Sequence, residues 1–311
     1  MTRPAQLSTS LRTFTAEDTG DWSGLFEFAR AADQAGIDRL VLSDHVVFGE
    51  HLDAYGDPSV GGAAGGRQPT GPDGSWLEPL ATIAHLTAVT SHTRFATGIL
   101  LAALRRPVVL AKTAATIDVL SGGRLDLGVG VGWQREEYEA AGLPFEGRGR
   151  LLNHTIEVCQ TLWRDRTATY QSDELSFAGI HQMPKPTRPG GVPVWVSGTV
   201  NPGSMDRLAR YGSGWIPWGD DATDVEGGLA RMRDAVAQRD RDPLELGVVG
   251  ALTVVKDDRG AVDLVRTMEP VPRQHAAGVT DFRMYLSPPT GGQPVAEYLH
   301  ELVTAFRAAT A

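Results

Sequence analysis

Two kinds of segment alternate along nearly the whole chain. Short runs rich in valine, isoleucine, leucine or threonine are typical of buried strands, and longer stretches with apolar residues three or four positions apart are typical of amphipathic helices. The predicted strands are 6–14, 38–45, 94–102, 124–132, 192–198, 214–219, 246–255 and 280–287. The predicted helices are 22–36, 77–90, 107–123, 148–164, 203–211, 223–239, 261–275 and 295–309.

Each predicted strand is followed by a helix, which gives eight strand–helix pairs in 311 residues. Connections of this length suit right-handed crossovers between parallel strands, in either a doubly wound sheet or a closed barrel. A doubly wound dinucleotide-binding fold would carry a GxGxxG motif after its first strand, and residues 8–20 contain none. We therefore predict an α/β protein with one domain over residues 1–311, a (β/α)₈ TIM barrel.

Two segments interrupt this alternation. Residues 48–75 are rich in glycine, proline and aspartate, and they are too long and too polar for a simple connector. Because they follow the second predicted strand, we expect them to form a lid or a mobile insertion over the carboxyl ends of the strands. Residues 165–192 form a second irregular excursion, before the fifth strand.

Composition and charge narrow the class of partner. A net charge of −9 argues against a nucleic-acid partner, because phosphate backbones are bound by basic surfaces. The chain has no run of 18 apolar residues, and residues 1–10 lack the apolar core of a secretory signal. We therefore predict a cytoplasmic protein with no membrane partner.

The single cysteine, Cys159, excludes an internal disulfide and a cysteine-based zinc site. It lies in an apolar-periodic segment, so we expect a buried helical thiol. The histidines show no metal-ligand spacing, and no metal is predicted.

In a TIM barrel the active site lies in the loops that follow the carboxyl ends of the strands. This rule selects candidate residues before any motif is considered. They are Ser43, Asp44 and His45 after the second strand, Thr97 to Leu101 after the third, Gly130 to Glu137 after the fourth, Ser197 to Thr199 after the fifth, and Trp218 and Gly219 after the sixth.

Several of these segments also carry a family pattern: SDHVVF at 43–48, RRP at 105–107, SGGR at 121–124, GVGVGW at 128–133 and RGR at 148–150. Together they resemble the luciferase-like superfamily, and more narrowly its branch that uses coenzyme F420. The resemblance covers about residues 5–310. It implies a TIM-barrel oxidoreductase with a small-molecule substrate, coenzyme F420 as the cofactor with FMN as the alternative, and a homodimer.

The resemblance assigns roles to Asp44 and His45. In similar F420 enzymes the aspartate of this pair contacts the deazaflavin ring system, and the histidine lies beside the substrate as a base or polarising group. An imidazole titrates near neutrality, which suits proton transfer next to a hydride acceptor. The alternative is that Asp44 caps a loop and that His45 is only a polar residue at the end of a strand.

Thr97, Gly98 and Ile99 would lie behind the cofactor ring, where family members often have a non-prolyl cis peptide bond. We expect that bond at Gly98–Ile99 rather than at Thr97–Gly98. The alternative is a glycine that simply allows close packing at this position.

The GVGVGW segment lacks the spacing of a dinucleotide-binding loop. Its glycines are expected to let the backbone lie close to a flat ring, with Gly132 and Trp133 lining the pocket. Related sugar-phosphate dehydrogenases have a glutamate where Trp133 stands, so that substrate is not expected. Glu136 is a candidate contact to the ring or tail of the cofactor, or else an exposed acid at a helix N-terminus.

Ser197, Gly198 and Thr199 end the fifth strand just before a helix. Backbone N–H groups at a helix start, together with two hydroxyls, form a cradle suited to the cofactor phosphate that the family holds here. Arg207, one turn into that helix, is a further phosphate contact or else a surface arginine. Candidates for the anionic cofactor tail are Arg105, Arg106, Arg135, Lys185 and Arg188.

These residues support three hypotheses. The first is an F420-dependent oxidoreductase that transfers hydride between the deazaflavin and an alcohol, an activated C=C bond or a C=N bond, with proton relay through His45. The second is an FMN-dependent two-component monooxygenase of the same fold. The third is a flavin- or F420-binding protein without turnover, against which the intact Asp44–His45 pair argues.

Overall fold

The computed structural model describes residues 3–258, 260–286 and 293–311. Eight of its strands are β1 (Gln6–Ser10), β3 (Arg39–Leu42), β5 (Arg94–Thr97), β6 (Leu125–Val129), β9 (Val194–Gly198), β10 (Gly214–Pro217), β11 (Gly247–Ala251) and β12 (Asp281–Met284). They pair in parallel in the order β1, β3, β5, β6, β9, β10, β11 and β12, and β12 returns to β1. The barrel is closed, which confirms the predicted fold class.

Helices surround this barrel. They are α1 (Ser23–Ala35), α2 (Pro79–Thr87), α3 (Pro107–Leu120), α4 (Arg135–Ala140), α5 (Arg148–Arg164), α6 (Pro202–Tyr211), α7 (Asp220–Thr223), α8 (Val225–Ala237), α9 (Leu264–Met268), α10 (Val271–Ala277) and α11 (Val295–Thr310). Proline occupies the first turn of α2, α3 and α6, where its missing N–H is not needed. Neighbouring helices pack in a ring, with α2 on α3, α3 on α5 and α11 on α1. None of the helices described is long and apolar enough to cross a bilayer.

The predicted and observed elements agree best for long, periodic segments. The helix predicted over 148–164 has those bounds in the structure, and Cys159 within it is buried, as expected. Its Sγ lies 3.5 Å from the Pro107 carbonyl oxygen, and burial raises the pKa of the thiol above its usual value.

Predicted strands extend too far at their carboxyl ends. The strand predicted over 94–102 ends at Thr97, and the one predicted over 246–255 ends at Ala251. Apolar composition continues beyond these points, where regular pairing gives way to isolated contacts: Leu100 forms a single parallel bridge to Val129, and the Leu252 N–H donates to the Arg283 carbonyl at 2.8 Å. The end of the strand predicted over 280–287 lies outside the described residues.

One predicted helix agrees with the structure and another is divided in two. The helix predicted over 223–239 corresponds to α8, which begins after Asp224, whose carboxylate accepts from the Gly227 N–H. The helix predicted over 261–275 is divided into α9 and α10, and Pro270 precedes α10. Periodicity alone missed this break because the apolar spacing continues across it.

Both irregular segments contain regular structure. The excursion 165–192 was predicted to be irregular, but it holds an antiparallel pair, β7 (Ala168–Gln171) and β8 (Ser176–Ile180). Its half-exposed strands lack a buried alternating face, which is why the pattern was missed. The segment 48–75, here called the lid, contains two short 3-10 turns, and β4 (Ser75–Trp76) at its end pairs with β2 (Phe14–Thr15).

An ionic network fills the amino-terminal end of the barrel interior. Arg39 donates to Asp126 from Nε at 3.2 Å and from Nη2 at 3.0 Å, and it also pairs with Asp281. Arg94 binds the same Asp126 carboxylate at 3.0 and 2.7 Å, and Ser8 donates to Asp281. Burial alone would raise the pKa of Asp126, but the charge of Arg39 and the hydrogen bond from Arg94 lower it below its usual value.

Asp126→Asn is expected to reduce the free energy of unfolding by about 3–5 kcal/mol, because it leaves buried arginine charge without its partner. Urea denaturation followed by circular dichroism measures this. Asp165→Asn is the matched control: Asp165 forms its ion pair with the exposed Arg164, so its loss should cost at most about 1 kcal/mol. Equal effects of the two substitutions would contradict this account of the network.

The pairing of Asp126 with Arg39 and Arg94 also predicts how the stability of the fold depends on pH. Because the folded-state pKa of Asp126 is depressed, its contribution to stability is complete above the unfolded value of about 3.9 and is lost as the pH falls below it. The stability difference between the wild type and Asp126→Asn should therefore be constant from pH 7 to about 5 and shrink below about pH 4. Urea titrations at several pH values check this.

Candidate active site

The carboxyl ends of the barrel strands bring the predicted site segments together at one mouth. The segments after β3, β5, β6, β9 and β10 all open on this side, and the lid crosses it. Arg148 of α5 donates to the Val60 carbonyl of the lid at 2.8 Å, and Trp218 donates to the Gly62 carbonyl at 3.1 Å. The lid is therefore fixed to two sides of the mouth.

Asp44 follows β3, and its carboxylate is fully engaged by protein groups. Oδ2 accepts from the Leu101 N–H at 2.8 Å and from Arg105 Nη1 at 2.7 Å, while Oδ1 accepts from Arg105 Nη2 at 3.0 Å. The side chain has no exposed surface. Asp44 therefore ties the loop after β3 to the segment after β5, and the contact with the cofactor ring that the resemblance implies stays a prediction.

His45 is oriented differently from its neighbour. Its side chain is 11% exposed, and Nδ1 lies 3.3 Å from Glu137 Oε1. That approach lacks hydrogen-bond geometry, so Nδ1 is a buried nitrogen without a hydrogen-bond partner among the described residues. The ring packs against Phe48 at a centroid distance of 4.5 Å and edge-on to Trp76 at 4.8 Å. The His45 imidazole is thus a polar group enclosed largely by aromatic side chains.

Aromatic side chains from several loops form this enclosure. Phe14 of β2 stacks on Trp76 of β4 at 4.3 Å, and Trp133 lies 5.9 Å from the His45 ring. Tyr55 of the lid contacts Trp133 at 5.4 Å and Trp218 at 6.3 Å. The cluster spans the loops after β1, β3, β6 and β10. Trp133 therefore lies beside the candidate site, with only 6% of its surface exposed.

The start of α4 holds the amino-terminal part of the lid. Gln134 accepts from the Gly49 N–H at 2.7 Å and donates to the Val47 carbonyl at 3.1 Å. Glu137 accepts from the Val46 N–H at 2.8 Å, and Glu136 bonds His51 Nδ1 at 2.8 Å. We call Gln134, Glu136 and Glu137 the lid clasp. Glu136, which the sequence suggested as a cofactor contact, is used here to hold the lid.

Gly128 of β6, and Gly130 and Gly132 just after it, pack against the segment that follows β5. A Cβ atom on Gly128 would lie 2.0 Å from the Thr97 carbonyl oxygen, and one on Gly130 would lie 2.0 Å from Ile99 Cδ1. A Cβ on Gly132 would lie 2.8 Å from Leu101 Cδ2. Gly128 is therefore required for the close approach of two backbone segments, whereas Gly130 and Gly132 face side-chain ends. The expectation that these glycines also let the backbone lie close to a flat ring stays a prediction.

The segment after β5 has the predicted cis peptide bond at Gly98–Ile99. Thr97 is fully buried and donates from Oγ1 to the Gly128 carbonyl at 2.7 Å, so its side chain positions the strand end. Ile99 packs inward against Trp195 and Ile216 in a small cluster inside the barrel. Of these residues, only the backbone at Gly98 and the Ile99 side chain border the interior of the mouth.

Ser197 and Gly198 end β9, and Thr199 leads into α6. Asn201 caps the helix and accepts from the Ser204 N–H at 3.0 Å, while Asp221 accepts from the Val200 N–H at 2.7 Å. Two N–H groups near the predicted phosphate cradle are therefore already bonded within the protein. A Cβ on Gly198 would lie 3.1 Å from Ser204 Cβ, and its φ of +153° favours glycine.

Arg207 and most of the tail candidates have other partners. Arg207 is buried and donates to Asn153 Oδ1 at 2.6 Å and to the Gly149 carbonyl at 2.9 Å, so it joins α6 to α5 rather than facing the cradle. Arg135 pairs with Glu146. Lys185 donates to two carbonyls at the carboxyl end of α5, and Arg188 lies near the amino-terminal ends of the strands. The prediction that Lys185 and Arg188 contact the cofactor tail is therefore corrected, because neither lies at the carboxyl mouth.

Arg283 of β12 is a buried cation that sequence reasoning missed. A Cβ on Gly98 would lie 3.2 Å from its Nη1, so the guanidinium reaches the segment after β5. Its Nε is buried without a hydrogen-bond partner, and no ion pair of Arg283 occurs among the described residues. Burial lowers its pKa to about 10, which leaves it protonated at neutral pH. An unpaired buried charge of this kind indicates a site for an anionic group.

The missed residues carried only weak sequence signals. Gln134 and Glu137 adjoin the GVGVGW motif and were noticed only as neighbours of Glu136. Arg283 lies in a strand segment, TDFRMYLS, whose only other charged residue is Asp281, and a charged residue in a buried strand is the one signal that could have selected it. The aromatic residues are spread over more than 200 positions, so no local pattern predicted their cluster.

Comparison with known proteins fits this geometry. A family model described as luciferase-like monooxygenase matches residues 5–286. The chain belongs to the luciferase-like monooxygenase family. The predicted superfamily is thereby confirmed, and relatives within it use either F420 or a flavin.

Curated relatives of this family member are similar over part of their length. An uncharacterised protein of Mycobacterium tuberculosis is 33% identical over 168 residues, which cover 54% of this chain and 59% of that protein. An F420-dependent glucose-6-phosphate dehydrogenase of Kineococcus radiotolerans is 28% identical over 62% of this chain and 51% of its own. The pyrimidine monooxygenase RutA of Escherichia coli is 31% identical over 53% and 47%. The chain thus spans about half the length of these relatives.

Solved structures show the same fold over the whole chain. An F420-dependent secondary alcohol dehydrogenase, in complex with an F420–acetone adduct, superposes with a TM-score of 0.74 at 17% identity, covering 98% of this chain and 99% of that one. A long-chain alkane monooxygenase superposes with a TM-score of 0.73 at 14% identity, covering 99% and 92%. At these identities the likeness concerns the fold alone.

Gln134→Ala is expected to loosen the lid, because it removes both hydrogen bonds that Gln134 makes to residues 47 and 49. Hydrogen–deuterium exchange of peptides covering residues 44–52 should quicken by about tenfold, since each lost bond is worth about 1 kcal/mol. Gln171→Ala, at an exposed position of β7, is the control and should leave the exchange unchanged. Unaltered exchange in Gln134→Ala would show that the lid is held elsewhere.

Proposed function

We propose that this family member is a coenzyme F420-dependent oxidoreductase that transfers hydride between the deazaflavin and a small organic substrate, an alcohol or an activated C=C or C=N bond. One observation carries the proposal: His45 Nδ1 and Arg283 Nε are both buried without hydrogen-bond partners, and both belong to residues at the carboxyl mouth of the barrel. A proton-transferring group and an uncompensated cation suit a site for an anionic redox cofactor and its substrate.

The residues of the mouth fit such a cofactor. Gly98 allows Val41 and Arg283 to lie close to the backbone at the mouth, since a Cβ there would meet Val41 Cγ1 at 2.4 Å and Arg283 Nη1 at 3.2 Å. Ser197, Gly198 and Thr199 would hold a phosphate at the start of α6, with the hydroxyls and the remaining N–H groups of that turn as donors. When bound, coenzyme F420 supplies a hydride acceptor or donor that does not activate oxygen.

His45 is the proposed acid–base group. The Glu137 carboxylate lies 3.3 Å from Nδ1, and Nε2 is the ring nitrogen that we propose exchanges a proton with the substrate. In alcohol oxidation His45 takes the hydroxyl proton as the carbon is oxidised, and in the reverse direction it returns that proton. Phe48 and Trp76 pack against the imidazole and exclude water from it. Asp44, held by Arg105, acts as a positioning residue for the loop that carries His45.

Arg283 is the proposed partner of negative charge on the cofactor or substrate. A guanidinium binds carboxylates, phosphates and anionic rings through a planar fork of donors. Because no carboxylate of the described residues neutralises Arg283, an anionic ligand would gain the charge interaction without displacing an internal partner.

The alternative proposal is an FMN-dependent monooxygenase of the same fold. Similarity to the pyrimidine monooxygenase RutA favours it, since that protein is named for oxygen chemistry. An arginine near the ring of bound FMN would serve its anionic reduced form equally well. The choice between the two therefore depends on which cofactor binds.

Fluorescence titration of the purified protein with F420, and in parallel with FMN, tests the proposal. We expect tight binding of F420 and weak binding of FMN. Gly198→Leu should weaken F420 binding by about tenfold or more, because its side chain would press on Ser204 at the phosphate cradle. Gly24→Leu, at a position with open space in α1, is the control. Preferential binding of FMN would instead support the monooxygenase.

His45→Ala should lower turnover by about 10²–10⁴-fold, because it removes the acid–base group. Cofactor affinity should stay near that of the wild type, since the phosphate cradle is untouched. His300→Ala, at an exposed position of α11, serves as the control in the same steady-state assay. Full activity of His45→Ala would remove His45 from the mechanism, while joint loss of binding and turnover would make it a cofactor contact.

A further inference from the structure

A second cavity lies at the opposite end of the barrel, at the amino-terminal ends of the strands. Its volume is about 730 Å³, a size that accommodates a small organic molecule. Arg39 and Arg94, the first residues of β3 and β5, form part of its wall, and Trp195 of β9 adds an apolar surface. No group of the carboxyl mouth lines it.

The lining of this cavity is rich in arginine. Five arginines face it: Arg3, Arg39, Arg94, Arg188 and Arg241. Two carboxylates, Asp126 and Glu245, share the lining, and Asp281 lies behind Arg39. Positive charge is therefore in excess here, in a chain whose net charge is −9. A local excess of this sign within an acidic protein focuses small anions into the cavity.

Arg39 and Arg94 are committed to Asp126, so the free donors come from the rim. Arg188 makes one long bond, to the Gly123 carbonyl at 3.4 Å, and its Nη1 is 3.9 Å from Asp126. Arg241 pairs with Glu245 through Nη2 at 3.1 Å, while its Nε is buried without a hydrogen-bond partner among residues 3–258, 260–286 and 293–311.

The backbone that carries Arg188 is already fixed. The neighbouring Thr187 donates to the buried Asp118 carboxylate from both its N–H and its Oγ1, each at 2.7 Å. A donor held in place loses little conformational freedom when it binds, which favours an anion at this position.

We propose that this cavity, which we call the base cavity, binds a small polyanion, a phosphate ester or a polycarboxylate, through the guanidinium groups of Arg188 and Arg241. The bound anion neutralises the excess charge beside Arg39, and it stabilises the fold because it binds the folded chain alone. This inference does not depend on the proposed oxidoreductase function, since none of the residues at the carboxyl mouth takes part.

Isothermal titration calorimetry with inorganic phosphate, pyrophosphate and citrate tests the proposal, with sodium chloride at matched ionic strength as the reference. We expect saturable binding of one anion per chain and a rise in melting temperature. The phosphate and citrate arms distinguish a phosphate ligand from a polycarboxylate. Saturable binding by either class that the double variant described next loses supports the proposal, and absence of saturable binding for all three overturns it.

The double substitution Arg188→Gln with Arg241→Gln should weaken binding by about a hundredfold, roughly tenfold for each lost charged donor. Both side chains are partly exposed, so the variant is expected to fold, and circular dichroism in chloride checks that it does. Arg164→Gln, at a surface pair away from the base cavity, is the matched control and should bind as the wild type does.

The variant Gly198→Leu distinguishes anion binding at the carboxyl mouth from anion binding at the base cavity. It disturbs the phosphate cradle at the carboxyl mouth and should leave anion binding at the base cavity unchanged. Loss of binding in Gly198→Leu with retention in the double variant would place the anion at the cofactor mouth and overturn the proposal. The two results also distinguish a failure of the base cavity from a failure of F420 binding, which is measured separately.

Discussion

The close contact between β6 and the segment after β5 is the constraint on which the candidate site depends. Gly128 of β6, with Gly130 and Gly132 just after it, leaves room for Thr97, Ile99 and Leu101 to lie close by. That approach presents the Leu101 N–H to the Asp44 carboxylate, which in turn fixes the loop carrying His45. A side chain at Gly128 would meet the Thr97 carbonyl and separate the two segments, and the positions of the residues that follow them would change together.

The lid is built as an ordered cover, although its composition is that of a flexible loop. The lid clasp binds its first residues, Arg148 and Trp218 bind its centre, and β4 pairs with β2 at its end. The aromatic cluster lies beneath it and surrounds His45. A polar group in such an apolar, covered place interacts strongly with charge that develops nearby, because water does not screen it.

Buried charges are paired differently at the two ends of the barrel. At the amino-terminal end, Arg39 and Arg94 share Asp126, so each buried ion has a partner, and the surplus cations lie towards the rim. At the carboxyl mouth, Arg283 has no such partner among the described residues. An interior that leaves one cation uncompensated is best explained by a ligand that supplies the missing charge, since burying an unpaired ion costs several kcal/mol.

The sequence by itself determined the alternation of strands and helices, the eight-fold repeat that predicts the barrel, the location of His45 after the second barrel strand and the burial of Cys159, because hydrophobic periodicity is a local property of the chain. The family and the cis bond at Gly98–Ile99 came from the resemblance that its motifs carry. Only the tertiary structure decided what each polar side chain binds. Asp44 binds Arg105, Glu136 binds His51 of the lid, and Arg207 binds Asn153 of α5. Arg283 Nε has no hydrogen-bond partner among the described residues. These partners lie tens to hundreds of residues apart, and their contacts arise from barrel closure, which no local pattern records.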